Sequence, residues 1–86
     1  MHMSPAEKAA LVKIRRDWDQ VRTAAEAARD ALLPQLRELD DPDVWLSNEA
    51  LRVREQLHAA SIGVRNCRDE AQQMIDFIDV RLRSAP

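Results

Sequence analysis

The chain has 86 residues, room for one domain near the lower size at which a hydrophobic core holds a fold without disulfides or metals. One glycine, one phenylalanine and no tyrosine, among abundant Ala, Leu, Arg, Glu and Asp, make a helix-forming composition and argue against an all-β fold. Because 13 basic and 15 acidic side chains leave a net charge of -2, nucleic acid is not an expected partner.

The first helix is predicted over about residues 5–40. Met1 to Met3 precede the first structural signal and are interpreted as residues left over from cloning. Ser4 can cap the helix, Pro5 fits its first position and Glu7 completes a capping box. Pro34 predicts a kink or a short break, because proline lacks the amide donor that a helix interior needs. The apolar stripe of this helix is Leu11, Ile14, Trp18, Val21, Ala25, Ala28, Leu32, Leu36 and Leu39.

The second helix is predicted over about residues 43–83, after a corner at about 40–46. Asp41 with Pro42 and Ser47 are competing starts, and the earlier one is expected, with a loose first turn. Trp45, beside the corner, is interpreted as a plug over the end of the core. The stripe of this helix is Leu46, Ala50, Val53, Leu57, Ala60, Val64, Cys67, Ala71, Met74 and Ile78, spaced alternately by four and three residues.

A short corner makes the two helices antiparallel neighbours, so the predicted fold is an all-α two-helix hairpin with coiled-coil-like packing. If it closes at the corner, the residue numbers of facing partners should add up to about 85. Trp18 then faces Cys67, which is interpreted as a small core residue. The other expected pairs are Leu39 with Leu46, Leu32 with Val53, Ala28 with Leu57, Ala25 with Ala60, Val21 with Val64, Ile14 with Ala71 and Leu11 with Met74.

A lone hairpin buries only one side of its stripes, so we expect a second chain to cover the rest. In the predicted pairing, helix two stays apolar beyond the start of helix one. This predicts a homodimer that forms a four-helix bundle; a helical protein of another kind as partner, and a compact monomer broken at Pro34, are the alternatives. The predicted partner-binding residues are Met74, Ile75, Phe77, Ile78 and Leu82.

Glu55 and His58 have the spacing of a catalytic or metal site. A Glu-x-x-His motif places both side chains one helical turn apart, as in di-iron bundles, but such sites need a second motif and two further glutamates. Arg52 with His58 is loosely similar to the Arg and His pair of helical ribonuclease domains of the HEPN type, without the polar residue that follows that arginine. A metal-binding or hydrolytic bundle is the enzymatic alternative; the prediction is no catalytic residue, no metal and no cofactor.

Trp45-Leu46-Ser47, between two helical segments, resembles the Trp-x-Gly corner of the small helical hairpins of type VII secretion. Serine replaces the glycine, and the tail lacks the tyrosine-centred export signal. Asp41-Pro42 is similar to the corner of type III needle subunits and their small chaperones. Both resemblances imply a partner-binding hairpin without an active site, that is, a secretion component or chaperone.

The sequence therefore predicts a non-enzymatic protein–protein interaction and assembly module that self-associates through its heptad stripes. With Cys67 alone, an intramolecular disulfide is excluded. No apolar run reaches the roughly 18 residues that span a bilayer, and no cleavable signal is seen. A soluble protein is expected, either cytoplasmic or exported without a signal peptide, with no membrane insertion.

Overall fold

The structure, a computed structural model, describes residues 3–41 and 47–84. Helix α1 runs over Pro5–Leu39 and helix α2 over Asn48–Ser84, and the two pack along their lengths. The chain forms a rod of 62 × 16 × 15 Å. The predicted fold class, an all-α antiparallel helical hairpin, is confirmed.

The start of α1 follows the predicted capping signal. The Ser4 hydroxyl accepts a hydrogen bond from the Glu7 amide at 3.1 Å, and Pro5 occupies the first helical position, where no amide donor is needed. At the other end, α1 closes at Leu39, with the Asp40 amide donating to the Leu36 carbonyl at 3.1 Å. Pro34 lies inside this helix, so the break expected there is absent.

Helix α2 begins at the later of its two candidate starts. The Ser47 hydroxyl accepts a hydrogen bond from the Ala50 amide at 3.1 Å, and the Ser47 carbonyl accepts one from Leu51 at 3.1 Å. Serine is a strong N-cap, so the helix starts at Asn48 and the expected earlier start is wrong. The predicted plug, Trp45, and the rest of the corner over 42–46 lie outside the described residues.

Of the nine described residues in the predicted stripe of α2, five are buried or half-buried and four are exposed; Leu46 lies outside the described residues. Ala50, Ala71 and Ile78 are buried as predicted. Ala60, Cys67 and Met74 were expected inside but are exposed, and the residue that follows each of them turns inward instead. From Leu57 onward, the inward-facing residues of α2 are Leu57, Ser61, Val64, Arg68, Ala71, Ile75, Ile78 and Leu82, again spaced by four and three. Helix α1 behaves alike, since Arg15 and Arg22 are half-buried while Ile14 and Val21 are exposed.

The helices also align differently from the prediction. Cross-helix hydrogen bonds join Arg15 to Asp79, Arg22 to Gln72 and Arg54 to Asp40, pairs whose residue numbers add up to 94. Among the described residues, the expected pairs that add up to about 85 are therefore wrong, and Trp18 does not face Cys67, which is exposed. The expected pair of Leu39 with Leu46 lies outside the described residues. The physical reason is the late start of α2, which begins at Asn48 and not at about residue 43, so its residues align with α1 farther along the chain than predicted.

Candidate interaction surfaces

Polar contacts between the helices are concentrated along one edge of the seam, here called the polar side and formed by Arg15, Arg22, Asp40, Arg54, His58, Gln72 and Asp79. Arg15 and Arg22 are seven residues apart on α1, and their acceptors Asp79 and Gln72 are seven apart on α2. Residues seven apart occupy the same place on a coiled-coil helix, so these pairs are successive rungs of one ladder. The arginines span the seam with their aliphatic stems and place their charged ends at its edge.

The first rung is a two-point ion pair. Arg15 Nε donates to Asp79 Oδ1 at 2.5 Å, and a terminal nitrogen of Arg15 donates to Asp79 Oδ2 at 3.2 Å. The hydrogen bond from Arg15 lowers the pKa of Asp79 below its ordinary value, outweighing the opposing effect of desolvation. The same bond raises the pKa of Arg15. Both side chains are more than a third exposed, so the pair aligns the helices rather than forming part of a dry core.

The polar side has further contacts between its two rungs and near the corner. Arg22 also bonds to Asp19 of its own helix, and Gln72 donates to Asp76 at 2.9 Å. Near the corner, Asp40 lies 3.3 Å from a terminal nitrogen of Arg54 and 3.6 Å from His58 Nε2. Asp40 thereby links the end of α1 to the second and third turns of α2.

The opposite edge of the seam, here called the apolar side, is formed by Ile14, Trp18, Val21, Val53, Cys67, Met74 and Phe77. Ile14 and Val21 directly precede Arg15 and Arg22, and the 100° step per residue carries them to the other flank of the seam. Two clefts show that the flanks of both helices meet here. Trp18 lines one with Met74 and Phe77, and Leu11 lines the other with Arg81.

The apolar side carries a groove of about 480 Å³ between Trp18 and the last third of α2. Met74 and Phe77 form its other apolar walls, with Glu70 and Gln73 at the rim. Phe77 is 69% exposed, and Ile14 and Met74 are also exposed. Water therefore contacts large apolar side chains that the hairpin itself does not cover.

The predicted partner-binding patch divides between the core and this groove. Ile75 and Ile78 are 1% and 2% exposed, so the expectation that a single hairpin leaves them in water is wrong. The alignment explains this, because α2 is matched along its whole terminal third by α1. Leu82 is half-buried, whereas Met74 and Phe77 remain on the surface. As partner-binding residues, Met74 and Phe77 stay a prediction.

Glu55 and His58 lie on a different face, away from the groove. Both are exposed and line a shallow cleft with Leu51 and Ile62. The charged neighbour of His58 is Asp40. Within residues 3–41 and 47–84, no group of three His, Cys, Asp or Glu side chains is placed to hold a metal ion.

Comparison with family models, with curated proteins and with solved structures finds no match for this chain. Neither described helix has a stretch long and apolar enough to cross a bilayer. Fold and surface together define a class: an all-α hairpin whose two seam edges differ, one bonded within the chain and the other apolar and uncovered. Sequence reasoning named Met74 and Phe77 but missed the ladder, whose signal was arginine at intervals of seven residues on α1.

Proposed function

We propose that the protein is a non-enzymatic assembly module whose apolar side packs against a second copy of the chain. The observation that carries the proposal is the segregation of the two sides. Along one edge, Arg15 and Arg22 donate to residues of α2, and Arg54 donates to Asp40 at the end of α1. Along the other edge, Trp18, Met74 and Phe77 line an open apolar groove. A surface of this kind is typical of a protein-binding site.

The exposed area supports a partner of substantial size. The chain exposes 6658 Å², whereas a compact monomer of 9.8 kDa exposes about 5,200 Å² by the usual size scaling. The difference exceeds the roughly 800 Å² that each partner contributes to a standard interface. A second hairpin laid on the apolar side removes surface of this order and forms a four-helix bundle.

Gly63 supports close approach of another helix. It is the only glycine of the chain, lies in the middle of α2, and a Cβ built on it meets no atom within 4 Å. Packing inside the hairpin therefore does not require glycine, although glycine costs a helix about 1 kcal/mol relative to alanine. Ala60 and Cys67 are exposed neighbours at three and four residues' distance, so the middle of this face of α2 is low and smooth.

Not all exposed apolar residues lie on the apolar side. Val12, Leu33, Leu51, Ile62 and Val80 are exposed elsewhere on the rod. They supply matched controls, because a change at one of them removes a similar exposed side chain without touching the groove.

The decisive experiment measures mass by sedimentation equilibrium across chain concentrations for three proteins: wild type, Phe77→Ser and Val80→Ser. Burying the exposed two-thirds of Phe77 against a partner should contribute about 1–2 kcal/mol per chain, and both chains of the dimer carry the substitution, so Phe77→Ser should weaken dimerisation about 30- to 900-fold. Val80→Ser should dimerise like wild type. A wild-type protein that remains monomeric at several hundred micromolar contradicts the proposal, as does equal weakening by both variants.

A further inference from the structure

The ladder of the polar side has a third rung, and on that rung cation faces cation. Arg29 is seven residues after Arg22, and Arg65 is seven before Gln72, so they occupy the places that Arg22 and Gln72 occupy on the second rung. Both line one cleft of about 320 Å³ between the helices, together with Leu33, Ser61 and Arg68. On the first two rungs an arginine meets an acceptor, whereas here it meets a second arginine.

No carboxylate lines this arginine cleft. Asp30 and Asp69, which follow Arg29 and Arg68 directly in the chain, are not among its lining residues. Arg68 donates to Asp69 at 3.3 Å, but Arg29 and Arg65 make no hydrogen bond or ion pair within the part of the chain that the structure describes. Two guanidinium groups without a partner among the described residues, beside a third that has one carboxylate partner, repel one another, and an anion that binds between them relieves this repulsion.

We propose that the arginine cleft binds a phosphate group. Guanidinium forks from both helices can donate to several oxygens of one tetrahedral anion, and the half-buried Ser61 adds a hydroxyl. The anion supplies the acceptor that the third rung lacks and joins α1 to α2 near the middle of the rod. Because the cleft lies on the polar side, this inference does not depend on the proposed dimer.

Thermal unfolding followed by circular dichroism at neutral pH tests the site with inorganic phosphate as the probe. Sodium phosphate, sodium malonate and sodium chloride are compared at equal ionic strength. Phosphate should raise the Tm in a saturable manner, by several degrees once it greatly exceeds its dissociation constant. Malonate, a dicarboxylate of similar charge, should raise it less. Equal Tm values in phosphate and chloride overturn the proposal, and equal effects of phosphate and malonate overturn the assignment to phosphate.

Three substitutions locate the effect. Arg65→Gln should weaken the apparent affinity for phosphate about tenfold, since it removes one charge-assisted contact. Arg65→Glu places a carboxylate opposite Arg29, so it should abolish the response to phosphate while the Tm in chloride is retained or raised. Arg16→Gln removes an exposed arginine outside the cleft and should respond like wild type.

If Arg65→Glu does not fold, Arg29→Gln tests the same rung from the other helix. The expected result is again a loss of about tenfold in apparent affinity. An undiminished response to phosphate in a folded Arg65 or Arg29 variant, or an equal loss in Arg16→Gln, shows that the anion does not bind in this cleft.

Discussion

Replacing Ile75 with alanine should cost the hairpin about 3 kcal/mol of unfolding free energy. Ile75 is 1% exposed and lies between Ala71 and Ile78 on the inner face of α2. The substitution removes about three methyl or methylene groups, each worth about 0.8 kcal/mol on burial, and the cavity it leaves adds to that loss. A chain of this length has a total stability of roughly 4–13 kcal/mol, so the variant should still fold.

The adjacent Met74 is the matched control, because it is 38% exposed on the apolar side. Met74→Ala should cost only about 1 kcal/mol in the isolated hairpin. Urea unfolding followed by circular dichroism measures both values, at chain concentrations low enough that further dilution leaves the midpoint unchanged. Under that condition a dimer does not contribute. If Met74→Ala costs as much as Ile75→Ala, or Ile75→Ala costs less than about 1 kcal/mol, the inner face of α2 is wrongly assigned.

Three further outcomes follow from individual side chains. The stabilisation of the fold by the Arg15–Asp79 pair should be complete above about pH 4 and should fade as the pH falls through the lowered pKa of Asp79. The difference in urea midpoint between wild type and Asp79→Asn should therefore shrink in acid. A difference that does not change with pH contradicts the pairing. Gly63→Ala should stabilise the hairpin by about 1 kcal/mol. Gly63→Leu should lower the average mass in sedimentation, because fewer chains dimerise, without loss of the helical circular dichroism signal. An unchanged average mass shows that no helix approaches closely at this site. Cys67 should react promptly with a thiol reagent in dilute protein and more slowly as dimers form; uniformly slow labelling contradicts its exposure.

Much of the fold could be predicted because local signals agreed with one another. Ser4 and Pro5 specify the start of α1 by hydrogen-bond chemistry that needs no tertiary context. The heptad spacing of Ala50, Leu57 and Ala71 predicts the face of α2 that packs on α1, but not which side of that face is buried as well. These features depend on residues close in sequence.

The choice of flank could not be predicted in the same way. Met74 and Ile75 are both large and apolar, but Met74 lies on the apolar side whereas Ile75 is buried inside the seam. What decides between them is the partner helix, where Arg15 and Arg22 occupy inward positions that a search for apolar residues passes over. Because the long aliphatic part of an arginine side chain covers apolar surface, an arginine can occupy an inward-facing position that a search for apolar residues does not find.

For the same reason, only part of the candidate site could be predicted from the sequence. Phe77 and Met74 stand out as surplus apolar residues in the sequence, and they remain at the surface. In the sequence, Ile75 and Ile78 also lack a predicted partner on α1, because the predicted alignment of the helices differs from the observed one by about nine residues. This difference corresponds to roughly 13 Å at 1.5 Å per residue. An alignment depends on where Ser47 caps α2, and two plausible caps differ by several residues.

The antiparallel arrangement gives the rod two chemically distinct tips. Ser4 and Ser84 lie at one tip, and Ser47 lies at the other, along a molecule 62 Å long. A fluorophore attached near Ser84 therefore reports on the relative direction of the two hairpins in a dimer. In a dimer of hairpins pointing the same way, two such dyes lie side by side and transfer energy efficiently. In a head-to-tail dimer they are separated by nearly the full length of the rod, so one labelling position distinguishes the two symmetries that an exposed face of this kind allows.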